Sequence, residues 1–275
     1  MMNIELMNVE LLLNALKTVT DMELSTQKVQ KGNRVLTGIY FGSSDIRPVA
    51  YMEYYEDIFD STKNYFAVAN AMLEQVKNSI RPNFDKEKLL DWNEIKTKLQ
   101  LCIAPKGTNK DFITYPYLDM EMYIRVIVSY DESGTASFKL SENHLNTIGI
   151  TSEQLFHAAV DCTKPTITIK NMSDILPFID FDESPMTIIS NNYGTNGASA
   201  IYFKDVLKRI ADKYGSDLIV LPSSIHEVIV VPTEMISLED AKSMVTEINT
   251  DCLDPEEKLS DNAYIFHRDT MEITW

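Results

Sequence analysis

Two dense apolar runs that lie close together constrain the fold of this chain more than any other feature. Residues 218–221 read LIVL and residues 228–231 read VIVV, and a polar insert, PSSIHE, separates them. Short aliphatic runs bounded by Pro and Ser are typical of buried strands. We therefore predict two adjacent strands, with a point of special geometry between them, and a fold that covers both.

Helices with recognisable ends surround this pair of strands. Apolar residues recur every four positions from Tyr202 to Tyr214 and Gly215 follows, which predicts a helix over residues 196–215 that ends at the glycine. Two further helix starts are marked by capping pairs: Thr151 with Gln154, and Ser237 with Asp240. After the second of these helices, residues 263–267 and 271–275 predict a terminal hairpin.

The N-terminal part of the chain mixes helices with a hairpin. Apolar spacings of three and four predict a helix over residues 4–19. Residues 66–80 and 86–101 are predicted as two further helices, the latter starting after Pro82. Two β-prone runs within residues 25–41 predict a hairpin. Residues 104–111, APKGTNKD, are typical of a loop and predict a domain boundary.

Together these segments predict an α+β protein in two lobes, with a mixed or mostly antiparallel sheet and helices packed on one side. Residues 1–108 form the N-terminal lobe, and residues 109–275 form a domain that carries the PSSIHE insert. The hydrophobic share of 44% is that of a globular protein with a buried core.

The negative net charge of the chain disfavours some classes of binding partner. Asp and Glu number 41 against 25 Lys and Arg, a formal charge of −16. Such a charge disfavours direct binding to nucleic acid or to an anionic membrane. The acids are spread along the chain, with a modest excess over residues 234–261. Acidity that keeps a protein soluble and an acidic surface for a basic protein partner both remain open.

The sequence indicates a soluble protein of the cytoplasm. The first residues do not form a basic, apolar leader, and no apolar run approaches the roughly 20 residues that span a bilayer. Cys102, Cys162 and Cys252 lie far apart and form no C-x-x-C pair, so reduced thiols are expected.

The polar insert holds the most suggestive candidate site: Ser223, Ser224, His226 and Glu227. In an extended segment Ser224 and His226 share one face, where a hydroxyl beside an imidazole is the arrangement of a nucleophile and its base. No G-x-S-x-G elbow exposes the serine. The alternative is structural: the serines bond the main chain at a strand bend, His226 is satisfied locally and Glu227 pairs with a cation.

A second candidate is the small-residue loop NNYGTNGA over residues 191–198, which includes Asn196. Free main-chain N–H groups in such a loop can hold a phosphate, although neither G-x-G-x-x-G nor a P-loop lysine is present. If Asn196 lies beside Ser224 and His226, the three outline a pocket. The histidines and cysteines lack the spacing of metal ligands, the pair Glu256 and Glu257 is interpreted as solvated loop charge, and no metal or cofactor is predicted.

Several motifs resemble a bacterial family that is catalogued only as a domain of unknown function and is common in gut-dwelling anaerobes. They are NHL-x-x-x-GI over residues 143–150, NGA over 196–198, VLKRIADKYGSDLIVLPSSIHEVIVVP over 206–232, MVTEIN over 244–249 and PEEKLSD over 255–261. The resemblance covers most of the chain and is strongest after residue 118. It implies a kind of protein but no reaction.

Since no complete catalytic constellation appears, the sequence favours a non-enzymatic interaction or regulatory module that binds a protein partner. In one version of this hypothesis the module is encoded on a mobile element. The first alternative is a hydrolase or small-ligand-binding protein with a pocket near Asn196, Ser224 and His226. The second is an acidic mimic of nucleic acid that inhibits a basic enzyme. Nothing in the sequence predicts the oligomeric state.

Overall fold

The computed structural model describes residues 7–31, 34–43, 47–78, 86–131, 134–175 and 185–275. The chain divides into two compact units, Met1–Asn83 and Phe84–Trp275. This division lies upstream of the boundary predicted at residue 108. The reason is that Leu99–Pro105 is a strand whose hydrogen-bonded partner, Met120–Asp131, belongs to the second unit.

Within its described residues, the first unit combines three α-helices with a small antiparallel sheet. Its elements are α1 (Val9–Val19), β1 (Leu24–Lys31), β2 (Arg34–Phe41), β3 (Val49–Tyr51), α2 (Glu56–Thr62) and α3 (Tyr65–Asn78). The strand order is β1-β2-β3, and the predicted hairpin is the β1–β2 pair. Leu12 and Leu16 of α1 pack with Val68 and Met72 of α3 and Ile39 of β2 in one buried core.

The second unit holds the remaining elements. They are α4 (Lys86–Leu89), α5 (Trp92–Ile95), β4 (Leu99–Pro105), β5 (Thr114–Tyr117), β6 (Met120–Asp131), β7 (Gly134–Lys139), α6 (Glu142–Ile148), α7 (Ser152–Thr163), β8 (Ile167–Asn171), α8 (Met172–Ile175), β9 (Thr187–Asn191), α9 (Lys204–Tyr214), β10 (Leu218–Leu221), β11 (Val228–Pro232), α10 (Leu238–Asp251), β12 (Tyr264–Phe266) and β13 (Ile273–Thr274). A 3₁₀ turn, Gly197–Tyr202, precedes α9.

These strands form two open sheets, and every pairing between strands of the described chain is antiparallel. One sheet has the order β13-β12-β10-β11-β9-β8. In the other, β4 pairs along one side of β6, and β5 and β7 pair with successive halves of its opposite side. The α+β class and the terminal hairpin are confirmed.

Alternating side chains bury both faces of the longer sheet. Val220 of β10 and Val228 of β11 share a core with Leu101 of β4, Leu155 of α7 and Leu207 of α9. On the opposite face, Ile219, Leu221 and Val231 pack against Ala241 and Val245 of α10. Helices therefore cover the two faces of this sheet, whereas the sequence predicted them on one side.

Local signals placed the starts of α7 and α10 and the end of α9 correctly, but the predicted start of α9 at residue 196 was wrong, because residues 197–202 form a 3₁₀ turn and α9 begins at Lys204. Thr151 and Gln154 form the predicted capping box of α7, and the Ser237 side chain accepts the Asp240 N–H at the start of α10. Gly215 ends α9 with φ 72°. The prediction of one helix over residues 86–101 was wrong, because α4 and α5 are single turns and β4 follows them.

None of the helices in the described part of the chain combines the length and apolar character needed to cross a bilayer.

Candidate functional site

The six residues between β10 and β11, residues 222–227, form what we call the box loop. A second segment, residues 257–260, runs beside it, and Ser224 and Lys258 are paired in antiparallel fashion. Three main-chain hydrogen bonds join the two segments, with N···O distances of 2.9, 2.9 and 3.2 Å: Ile225 donates to Glu257, Leu259 to Ser223 and Ser260 to Pro222. The box loop is therefore held as an extension of the sheet.

Ser224 supports the main chain of the box loop. The residue is only 3% exposed, and its Oγ accepts the His226 N–H at 3.0 Å. Serine hydroxyls at bends commonly bond the main chain two residues away. Among the described residues the Ser224 hydroxyl makes no hydrogen bond to the His226 ring. The two side chains therefore lack the contact that a nucleophile makes with its base.

Both ring nitrogens of His226 face a polar group. Nδ1 accepts the main-chain N–H of Asn196 at 3.2 Å, and Nε2 lies 3.4 Å from Glu257 Oε1. Because Nδ1 is an acceptor, the neutral ring carries its proton on Nε2, on the side of the carboxylate. His226 thus connects the box loop both to the Asn196 turn and to the segment at residues 257–260.

The Asn196 turn approaches the box loop very closely. Asn196 has a left-handed backbone, with φ 54° and ψ 37°, a conformation that Asn adopts more readily than most residues. The next residue, Gly197, donates its N–H to the His226 carbonyl at 3.0 Å, and Ser190 Oγ donates to the same carbonyl at 2.7 Å. A Cβ on Gly197 would stand 2.6 Å from that oxygen, so only glycine fits.

Asn196 also reaches the second sheet through Tyr123 of β6. The Tyr123 hydroxyl donates to Asn196 Oδ1 at 3.2 Å. Burial of this phenol raises its pKa well above the usual value; the neighbouring Cys102 adds to the rise and Arg125 opposes it. Tyr123 is therefore a neutral donor that fixes the turn.

The structure brings together three of the five predicted site residues, Asn196, Ser224 and His226. Ser223 contributes its carbonyl to the pairing with Leu259. For Glu227, no hydrogen bond or ion pair of its carboxylate is found within the described chain, and the cation expected for it in the structural alternative is not seen there. The location hypothesis remains a proposal, since proximity alone does not establish a binding site.

Sequence reasoning missed Glu257 as part of this arrangement, whereas Gly197 belongs to the predicted small-residue loop. Glu257 was interpreted as a solvated loop charge, and its side chain, which is 43% exposed, lies beside the imidazole. Its only signal was membership of the PEEKLSD motif. Within the described residues, no group of three His, Cys, Asp or Glu side chains is arranged to hold a metal ion.

Removal of the Ser224 hydroxyl tests the structural role of this side chain. Ser224→Ala is expected to lower the free energy of unfolding by about 1–2 kcal/mol, because the partly buried His226 N–H loses its acceptor. Ser223→Ala, whose hydroxyl makes no hydrogen bond in the described chain, is expected to change it by less than about 0.5 kcal/mol. Urea unfolding of the two variants measures the difference, and equal effects would contradict the assignment.

Comparison with known proteins places these features in a family. The matching family model is described as a family of unknown function (DUF5688), and it covers residues 7–268. The chain belongs to this family. The resemblance inferred from the motifs is thereby confirmed at the level of a family without an assigned activity. No curated protein and no solved structure matches the chain significantly.

The family match extends through both compact units. It includes the Asn196 turn, the box loop and the segment at residues 257–260. The contacts described above therefore lie inside the residues that the family model matches, while β13 lies beyond them.

Proposed function

We propose that the chain is a non-enzymatic interaction module that acts in the cytoplasm and binds a basic protein partner through the outer surface of α10. The observation that carries the proposal is the distribution of charge between the two units. Residues 1–83 contain ten acidic and eight basic side chains, whereas residues 84–275 contain 31 and 17. The acidic excess thus lies almost entirely in the second unit.

Within that unit, α10 turns acids outward. Ala241 and Val245 pack on the sheet, while Glu247 and Asp251 are exposed on the other side of the helix. They share a shallow, open depression with short polar side chains and one lysine: Lys242, Ser243, Thr246 and Thr250. Exposed carboxylates on an open helix surface suit a partner surface that bears Lys or Arg.

The contacts of the box loop favour this proposal over a hydrolase. Ser224 is buried, and its hydroxyl oxygen accepts the His226 N–H. The His226 ring accepts the Asn196 N–H and faces Glu257. These groups stabilise the loop, so their presence together does not require a catalytic explanation.

The experiment is quantitative capture of partners from the native host with the full chain as bait. A triple variant, Glu247→Gln, Asp251→Asn and Asp254→Asn, neutralises the outer surface of α10 and the loop after it. The partner identified with wild type is expected to bind the triple variant at least about tenfold more weakly, and its binding to wild type is expected to weaken with added salt.

A matched control neutralises three exposed acids elsewhere in the second unit: Glu153→Gln, Asp161→Asn and Glu272→Gln. This control has the same net charge as the α10 variant and is expected to retain wild-type binding. If both triple variants lose partner binding equally, the effect is one of net charge, and an interface on α10 is contradicted. A captured nucleic-acid-binding enzyme whose binding is competed by DNA would identify the acidic surface as a mimic of nucleic acid instead.

A further inference from the structure

Arg125 of β6 is a buried cation in the second unit. The residue is 8% exposed. Its Nε donates to Gln100 Oε1 at 2.7 Å, and one terminal nitrogen, Nη2, donates to Thr195 Oγ1 at 3.3 Å. Both acceptors are neutral, and within the described chain the guanidinium forms no ion pair. Burial of a charge without an opposite charge is unfavourable, so an anion beside the guanidinium would stabilise this arrangement.

The ionisable neighbours of Arg125 do not supply that negative charge. Burial raises the pKa of the Cys102 thiol, although Arg125 opposes the rise, and burial also raises the pKa of the Tyr123 phenol. Both groups are therefore neutral near pH 7. Glu121 lies four residues away along β6, about 13 Å in an extended strand, and its carboxylate accepts the N–H groups of Gly107 and Asn109.

Lys139 of β7 lies directly across from Arg125 in the β6–β7 ladder. Its amino group donates to Asn109 Oδ1 at 2.5 Å, and Asn109 Nδ2 donates to Glu121 Oε1 at 2.9 Å. Lys139 and Glu121 are therefore linked through Asn109, whereas the Arg125 guanidinium bonds Gln100 and Thr195.

Arg125 and Asn196 each have a side-chain donor that makes no hydrogen bond within the described chain. Nη1 of Arg125 has no acceptor there, and neither does the side-chain nitrogen of Asn196, whose Oδ1 is held by Tyr123. Thr195 and Asn196 are consecutive residues of one turn. A guanidinium and an amide of this kind match the geometry of a phosphate or carboxylate group.

We propose that Arg125, together with Asn196, binds a small oxyanion, a phosphate or a carboxylate group. This site is separate from the acidic surface of α10. It also gives the Asn196 turn a ligand-binding role that does not involve Ser224. The 8% exposure of Arg125 leaves an approach from solvent for a single anionic group.

Thermal unfolding of the full chain in rising concentrations of inorganic phosphate or acetate tests the site, with chloride at matched ionic strength as reference. Wild type is expected to gain about 3 °C in Tm once the anion reaches roughly ten times its Kd. A response to phosphate alone assigns a phosphate ligand, and a response to acetate alone assigns a carboxylate. Absence of any response in wild type would overturn the proposal.

Two variants and a control locate the response. Arg125→Met is expected to lose it, whereas Arg209→Met, which removes an exposed arginine of α9, is expected to keep it. Gln100→Glu retains Arg125 but places a carboxylate beside its Nε. This carboxylate is expected to neutralise the guanidinium in place of the added anion, so the rise in Tm should be lost. If Arg125→Met does not fold, the Gln100→Glu variant provides the test. A rise in Tm with added anion as large as that of wild type, in whichever of the two variants is used, would overturn the proposal.

Discussion

Gly197→Ala is expected to lower the free energy of unfolding of the second unit by about 3–4 kcal/mol. The added Cβ would stand 2.6 Å from the His226 carbonyl oxygen and 2.8 Å from the Asn191 main-chain nitrogen. Both are main-chain atoms, Asn191 in β9 and His226 in the box loop, so neither can withdraw as a flexible side chain would. The Asn196 turn would have to retreat, and the hydrogen bond from Gly197 to His226 would be lost with it.

Tryptophan fluorescence during urea unfolding isolates this effect, because Trp92 and Trp275 both lie in the second unit. Gly194→Ala, in the same loop, is the matched control. Gly194 has φ 68° but no atom near its potential Cβ, so its substitution is expected to cost only about 1 kcal/mol. A cost for Gly197→Ala no larger than this would show that the turn relaxes away from the box loop.

Asp119→Ala is expected to destabilise the same unit by about 3 kcal/mol. Asp119 lies in the turn between β5 and β6, and its carboxylate accepts hydrogen bonds from Tyr264 Oη, from Asn262 Nδ2 at 2.7 Å and from Ser260 Oγ at 3.0 Å. Tyr264 has no exposed surface. Loss of the carboxylate therefore leaves a buried phenol with a weaker set of partners.

A double-mutant cycle separates the contact with Tyr264 from general disruption. Tyr264→Phe alone is expected to cost about 1 kcal/mol, because the carboxylate keeps two of its donors. Asp119→Ala combined with Tyr264→Phe should cost less than the sum of the single changes, with a coupling of about 1–2 kcal/mol. Strict additivity would exclude a direct role for this pair.

The pH dependence of the Asp119 effect has a definite sign. Burial alone would raise the pKa of Asp119, but the hydrogen bonds from Tyr264, Asn262 and Ser260 outweigh it and hold the pKa below its usual value. A lowered pKa in the folded state means that the carboxylate stabilises the fold above about pH 4 and loses this effect as the pH falls through the folded pKa. The difference in Tm between wild type and Asp119→Ala should therefore narrow below pH 4.

Sequence patterns predicted the elements whose causes are local. Apolar spacing predicted the strand pair β10 and β11 and the helix α9. The start of α7 was predicted from Thr151, which bonds a residue only three positions away. The strand β4 was missed because Leu99 and Leu101 fit a helical pattern as well as an alternating one. What decides between them is the pairing with β6, which begins at residue 120.

The positions of the two candidate loops could be predicted better than the contacts between them. Small residues around Asn196 and the polar insert after β10 indicated two loops of special geometry, and these loops do meet. Their contacts run largely through main-chain atoms, which leave no residue pattern to read. Glu257 lies 31 positions after His226, and Arg125 belongs to a strand 71 positions before Asn196. Sequence patterns extend over a few residues, so neither of these long-range arrangements could be predicted from them.

The pairing of the box loop with residues 257–260 has a consequence for how relatives of this chain can diverge. Main-chain bonds constrain spacing more than side-chain identity, so Ile225 and Leu259 are free to change among apolar residues of similar size. An insertion or deletion within either segment would instead shift the register by one residue and reverse which side chains face the core. Gaps in an alignment of the family should therefore fall outside the PSSIHE, NGA and PEEKLSD motifs even where their residues differ.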